Sequence, residues 1–170
     1  NIQGGLEKSL TKQGLQGGDW AKGAAGGYGT GETSWIINNE LIALKTGYVA
    51  ESTKWTVDFE KDRGTIIFQI RRGIRYSLNP ASEASRLVGG RELTADDVVA
   101  SMKKAITPGT KFVLSSPELK DAEITKTGPS EVSVKLPVAA VRTALNRFGD
   151  NLDIQPPEVA AKYGNMSNWK

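Results

Sequence analysis

The sequence predicts an α+β fold in which antiparallel β hairpins pack against short helices. Residues 55–70 contain two runs that alternate apolar and polar side chains on either side of a turn at 61–64, which is typical of two antiparallel strands. Residues 94–106 repeat apolar side chains three and four positions apart, which places them on one face of a helix. A hairpin followed by an amphipathic helix is the expected centre of the fold.

The first hairpin is predicted over residues 48–70. Its turn is expected to use Gly64 at a positive φ, a conformation that glycine adopts without steric cost. Because side chains alternate between the two faces of a strand, one face should be buried under the helix at 94–106. The expected buried set is Trp55, Val57, Phe59, Ile66, Phe68 and Ile70.

The helix at 94–106 carries signals at both ends. Thr94 and Asp97 have the spacing of a capping box, in which each side chain binds the other residue's backbone N–H. Asp96 also favours the positive end of the helix dipole, and Lys103 and Lys104 favour the negative end. Capping therefore explains the adjacent carboxylates Asp96 and Asp97 better than catalysis does.

The remaining chain is predicted as loops, a second hairpin and two more helices. Residues 76–92 should form a surface loop with one helical turn at 82–87, and residues 112–119 should be irregular. Strands are expected at 123–126 and 131–136, joined by a Gly-Pro-Ser turn, and in the second strand Val132, Val134 and Leu136 alternate with polar residues. Proline and glycine signals bound the last two helices. These are predicted from Pro137 to Gly149 and over 158–163, with Gly164 as the second C-cap.

Composition excludes several classes of function. The chain has no cysteine and no histidine, which removes thiol nucleophiles, Ser-His-Asp triads and Cys/His zinc sites. The net charge is only +3 and the basic residues are dispersed, whereas a nucleic-acid interface needs a basic stripe. No run is long and apolar enough to span a bilayer. We therefore expect no nucleic-acid partner, no cofactor, no metal and no catalytic residue.

Two weaker patterns also favour a structural interpretation. Ser101 and Lys104 lie one helical turn apart, but a lone Ser-x-x-Lys spacing is a weak sign of nucleophilic catalysis. Asp150, Asn151 and Asp153 have the spacing of calcium ligands, but the glycine and distal glutamate of an EF-hand are missing. Neither pattern predicts a site.

The chain is expected to divide at residue 34. Residues 1–34 are glycine-rich and show no persistent period, which favours an irregular segment. Gly27, Gly29 and Gly31 do not have the G-x-G-x-x-G spacing of a phosphate-binding loop. Residues 35–170 are expected to form the folded part.

A run of motifs in order resembles a known family. The resemblance rests on Val49-Ala50-Glu51-Ser52, on Trp55, on the Thr-Ile-Ile-Phe-Gln-Ile-Arg-Arg-Gly-Ile run at 65–74, and on the Leu-Thr-Ala-Asp-Asp-Val-Val-Ala-Ser run at 93–101. These residues resemble family five of the bacterial extracellular solute-binding proteins, which serve peptide and nickel ABC importers. The segment at 76–92 departs from the family by being longer and by lacking its histidine.

The resemblance implies a fold, a function and a location. It implies an incomplete piece of a periplasmic-binding-protein-like fold, namely the small β-rich subdomain of the first lobe. The whole protein would capture a peptide-like solute and deliver it to an ABC permease. It would work in the periplasm or on the extracellular face of the membrane, associated through the permease or through a lipid anchor outside this chain. The segment before the family's first helix lines its ligand cleft, which implies ligand contacts from Thr30, Glu32, Thr33 and Trp35.

Alternatives stay open from the residues alone. Trp35 could be a core residue instead of a ligand platform, because large aromatic side chains are mostly buried. The chain could be a cell-surface interaction or structural module that contacts a partner through residues 76–92. A hydrolase using carboxylates or the Ser101–Lys104 pair is a third interpretation, and no spacing in the sequence favours it.

Overall fold

The computed structural model describes residues 14–19, 42 and 45–164. Two antiparallel sheets form in this part of the chain. Strands β1 (Gln16–Gly18) and β2 (Lys45–Gly47) form a short ribbon. Strands β3 (Ala50–Asp58), β4 (Arg63–Ile70), β5 (Glu123–Gly128) and β6 (Glu131–Leu136) form a four-stranded sheet in the spatial order β3-β4-β6-β5.

Short helices follow or separate these strands. The α-helices of the described residues are α1 (Glu83–Val88), α2 (Ala95–Ala105), α3 (Lys111–Ser115), α4 (Val141–Asp150) and α5 (Pro157–Tyr163). Single 3₁₀ turns lie at Pro117–Leu119 and Val138–Ala140. Antiparallel hairpins packed with short helices confirm the predicted α+β class.

The core lies between one face of the four-stranded sheet and the helices α2 and α4. Ile66, Phe68, Val132 and Val134 from the two central strands are each 0% exposed. Ile66 is paired with Val134, and Phe68 with Val132, so the four side chains share one face of the sheet. Helix α4 packs against β4, and α2 packs against β5 and β6.

The prediction that Trp55 and Phe59 are buried is wrong. Trp55 is 49% exposed and Phe59 is 79% exposed. Trp55 is on the core-facing side of the sheet, opposite Ile66. It stays exposed because β3 is an edge strand, while α2 and α4 cover the other three strands. Phe59 lies beyond the last strand pair, in the turn. Val57 is half-buried against the core, and Ile66, Phe68 and Ile70 are buried as predicted.

Gly64 is needed for space and not for its backbone angle. The positive φ of this turn belongs to Asp62, at +43°, and Gly64 is already in β4. A Cβ atom on Gly64 would overlap Cγ2 of Val141, the first residue of α4. The glycine therefore lets α4 approach the sheet closely.

The helix predicted to cover the first hairpin lies mainly over the second. Residues 95–105 form α2 as predicted, but α2 crosses β5 and β6, while β4 is covered by α4. The predicted helical turn in 76–92 is present as α1. It forms a second small core with α5, built from Ala84, Val88 and Val159 and flanked by Tyr76 and Tyr163.

Three further segments differ from the prediction. Residues 111–115 form α3, which Thr110 caps, and the Phe112 ring stacks on Phe148 at 5.4 Å. Gly149 lies inside α4, which continues to Asp150, and a Cβ atom on Gly149 would be 2.9 Å from Oε1 of Gln16. Gln16–Gly18 forms a strand within the segment expected to be irregular.

Candidate functional site

The ribbon β1–β2 positions the segment that the sequence assigns to ligand binding. Gly18 and Lys45 are paired at one end of the ribbon, so residues 19–44 leave and return at the same point. The expected ligand contacts are on this connection. Thr30, Glu32, Thr33 and Trp35 lie outside the described residues, so their role stays a prediction.

Backbone hydrogen bonds hold the ribbon against the start of the large sheet. The carbonyl of Leu15 accepts from the N–H of Tyr48 at 3.0 Å and from that of Ala50 at 2.9 Å. The Tyr48 ring covers Gly17 so closely that a Cβ atom there would overlap it, and its hydroxyl donates to the Gly18 carbonyl at 3.4 Å. The ends of the 19–44 segment are therefore fixed to the rest of the fold.

A buried ion pair lies at the same end of the ribbon. Nζ of Lys45 donates to Oδ2 of Asp150 at 2.5 Å, and the two side chains are only 1% and 7% exposed. Burial raises the pKa of Asp150 above its usual value, and the hydrogen bond and charge of Lys45 act in the opposite direction.

Arg91 binds two carboxylates that are far apart in sequence. Its guanidinium donates two hydrogen bonds of 2.8 Å to Asp97 and two of 2.7 Å to Glu158. These bonds raise the pKa of Arg91 and lower that of Glu158. The cation also lies 5.3 Å from the centre of the Tyr76 ring, and burial together with the charge of Asp97 raises the pKa of the Tyr76 hydroxyl. Arg91 thus fastens the 76–92 segment to α2 and α5.

The Ser101–Lys104 pair anchors the segment that leads into α5. Oγ of Ser101 accepts from the N–H of Gln155 at 2.9 Å and donates to its carbonyl at 3.3 Å. Nζ of Lys104 donates to the carbonyl of Gly164 at 2.7 Å and to Oε1 of Gln155 at 3.2 Å. Because both side chains bind residues 155–164 and the two are not bonded to each other, the geometry is not that of a nucleophile with its base.

An open depression lies at the far end of the first hairpin. It measures about 590 Å³ and is lined by Thr56, Val57, Asp58, Lys61, Arg63 and Thr65. Most of these side chains are polar, whereas small-molecule sites are lined mainly by apolar groups with a few polar ones. The depression is therefore a poor candidate for a solute site.

The described residues bring together no cluster of acidic side chains that could hold a metal ion. Among the same residues, no helix has the length and apolar character that crossing a membrane requires.

Sequence reasoning missed Lys45, Arg91 and Glu158. Arg91 and Glu158 are 67 positions apart, and Lys45 and Asp150 are 105 apart. No local spacing signals such pairs, because the partners meet only when the helices pack. Asp97 was found through its capping role, but its contact with Arg91 was not.

No family model matches the sequence, and no curated protein matches it. Solved structures do match. The oligopeptide-binding protein AppA from Bacillus subtilis, in complex with a nonapeptide, matches 98% of this chain with a TM-score of 0.57 and 20% identity. The chain has the fold of part of a solute-binding protein.

A second solved structure supports the same fold. The periplasmic binding protein AgaA from A. tumefaciens R10, in complex with agropinic acid, matches 99% of this chain with a TM-score of 0.58 and 18% identity. The matched regions cover 25% of AppA and 27% of AgaA, so the chain spans about a quarter of the length of these proteins. The resemblance predicted from the motifs is confirmed as a likeness of fold to the solute-binding proteins.

Proposed function

We propose that this chain is part of the substrate-binding component of an ABC importer. The component captures a peptide-like solute on the periplasmic or extracellular side of the membrane and delivers it to a permease. The observation that supports this best is the likeness of nearly the whole chain to AppA and AgaA, both of them binding proteins by their descriptions. The motifs of the resemblance form β3, β4 and the capped helix α2, which pack into one core.

The chain would contribute one wall of the solute cleft. The connection 19–44 carries Thr30, Glu32, Thr33 and Trp35, which are the proposed contacts with the solute. The ribbon and the Lys45–Asp150 pair hold both ends of this connection. A wall whose ends are fixed loses less conformational freedom when it binds a solute, which favours binding.

The proposed role is capture and release without chemistry. Permease contact and membrane association, through the permease or a lipid anchor, belong to the same proposal. The division between a segment at 1–34 and a folded part at 35–170 stays a prediction.

Weak peptide binding to the chain tests the proposal. A small-molecule site commonly buries about 70–90% of its ligand, and one wall alone buries much less. We therefore expect affinities no better than about 1 mM for mixed di- to pentapeptides. Amide chemical shifts in a ¹⁵N NMR titration should move at Thr30, Glu32, Thr33 and Trp35, with no measurable heat by calorimetry.

Two tryptophan variants sharpen this test. Trp35→Leu should abolish the shift changes in the 19–44 segment. Trp55→Leu removes an exposed tryptophan elsewhere in the fold and should leave them unchanged. Shift changes confined to other residues, or none at all, would contradict the proposed site. Micromolar binding would instead indicate a self-contained binding module.

A further inference from the structure

Strand β3 has one side of its backbone free of partners in the described part of the chain. It is the first strand in the order β3-β4-β6-β5. The N–H of Ile70 donates to Ser130, on the side of β6, so by alternation the backbone of Thr65, Ile67 and Gln69 faces β3. Their partners in β3 are Thr56, Lys54 and Ser52. The backbone groups of Thr53, Trp55 and Val57 therefore point away from the sheet.

The same strand exposes apolar side chains. Trp55 is 49% exposed and Phe59, just past the strand, is 79% exposed. Trp55 is on the face of the sheet that forms the core but extends beyond the cover of α2 and α4, whereas Val57 on the same face is half-buried against the core. An open edge beside uncovered apolar side chains is a surface on which another strand can pair.

The charges of β3 are complementary to those of a second copy. If two β3 strands pair antiparallel around a two-fold axis at Thr56, residue 54 of each copy lies opposite residue 58 of the other. Lys54 of each copy then lies opposite Asp58 of the other, which gives two charge pairs. The outward-pointing backbone groups of Trp55 in each copy lie opposite those of Val57 in the other. A two-fold axis uses the same patch on both subunits, which a self-complementary strand satisfies.

Neighbouring registers lack this match. An axis at Trp55 places Lys54 opposite Thr56, which carries no charge. An axis at Val57 places Lys54 opposite the carboxylate of Glu60, but Glu60 lies beyond the end of β3 at Asp58, so this charge pair falls outside the strand pairing. Lys54 has no ion-pair partner among the described residues. Asp58 pairs with the exposed Nζ of Lys61 at 3.2 Å and also accepts from the backbone N–H of Lys61 at 3.1 Å. A lysine on an edge strand ordinarily discourages pairing; opposite Asp58 of a second copy it attracts.

We propose that two copies of this chain associate edge to edge through β3, around an axis at Thr56. The two four-stranded sheets then continue into one. Thr56 is about 20 Å along β3 from Ala50, where the ribbon begins, at about 3.3 Å per residue. The inference is argued from the described residues of the sheet alone, whatever the solute.

Sedimentation velocity over a wide concentration range tests the proposal. The unmodified chain should form a dimer whose population rises with concentration. Lys54→Asp and Asp58→Lys each place like charges opposite one another, so each should weaken the dimer roughly tenfold. The double variant Lys54→Asp/Asp58→Lys reverses both charges and should restore it. That recovery distinguishes pairing across β3 from a general effect of charge.

Two further variants test whether the dimer contact is at the β3 edge or elsewhere on the surface. Trp55→Thr removes the exposed ring and should also weaken the dimer. Glu123→Lys changes a charge on the opposite edge strand, β5, and should leave it unchanged. Circular dichroism checks that each variant is folded. A chain that stays monomeric at every concentration would overturn the proposal, and so would a dimer that none of the β3 variants weakens.

Discussion

Lys45 and Asp150 form an ion pair that is almost completely buried, with Nζ of Lys45 2.5 Å from Oδ2 of Asp150. The pair joins β2 to the last residue of α4. Oδ1 of Asp150 accepts no hydrogen bond from the described part of the chain, so Lys45 is the main compensation for burying this carboxylate. This charge contact therefore helps, together with the pairing of β1 and β2, to hold the return point of the proposed solute-binding segment.

Replacing Lys45 by Met should destabilise the chain by about 3–5 kcal/mol, because it leaves the buried carboxylate unpaired. The free energy of unfolding from urea titration measures this. In the double variant Lys45→Met/Asp150→Leu no unpaired charge remains, and most of the loss should be recovered. A single-variant loss below about 1 kcal/mol, the size of a surface effect, would show that the pair is not buried in solution.

Phe68→Ala should cost about 3–5 kcal/mol, because the side chain is 0% exposed in the centre of the core. Phe59→Ala is the matched control. Phe59 is 79% exposed, so its loss should change the free energy of unfolding by less than about 1 kcal/mol. Denaturant titration of both variants checks the assignment of the hairpin faces. Equal losses would mean that the turn residue is buried in solution.

Thr94→Ala should cost about 1 kcal/mol through loss of the N-cap of α2. It should leave the peptide-induced NMR shifts unchanged, since Thr94 has no part in the proposed site. Asp97→Ala should cost more, about 3–5 kcal/mol, because Asp97 also binds Arg91 and is only 2% exposed. The order of these two losses by denaturant titration tests the double role of Asp97.

Acid should weaken the attachment of α5. Arg91 lowers the pKa of Glu158 below its usual 4.5, so ionised Glu158 stabilises the fold above that pH. The contribution is lost as the pH falls through the lowered pKa, because the protonated group no longer pairs with Arg91. Glu158→Gln removes the titrating group. The Glu158→Gln variant should therefore lose less free energy of unfolding between neutral and acid pH than the unmodified chain. Equal losses would show that the acid sensitivity does not come from the Glu158–Arg91 pair.

The local elements were largely predictable. Alternation of apolar residues together with turn signals located both hairpins, and the Thr94–Asp97 spacing located the start of α2. These signals act within a few residues, where backbone geometry alone decides which side chains share a face. The wrong burial prediction for Trp55 concerns its position in the sheet. Trp55 alternates correctly but lies in an edge strand, and no local pattern shows which strand is at the edge.

The candidate site was only partly predictable. The resemblance predicts solute contacts within residues 30–35, which lie outside the described residues and stay a prediction. The Lys45–Asp150 and Arg91–Glu158 pairs follow from the packing of helices onto sheets. Gly64 likewise gave a turn signal in the sequence and has another role in the structure, where it admits Val141 of α4.

By itself, the sequence determined the α+β class, the hairpins, the capped helix and the resemblance to solute-binding proteins, because each depends on residue patterns that extend over only a few positions. Only the tertiary structure decided the strand order, the placement of α2 over the second hairpin, the exposure of Trp55 and the long-range ion pairs. Those features depend on which surfaces meet when the chain folds. Contacts between residues as distant as Lys45 and Asp150 leave no local pattern from which they could be predicted.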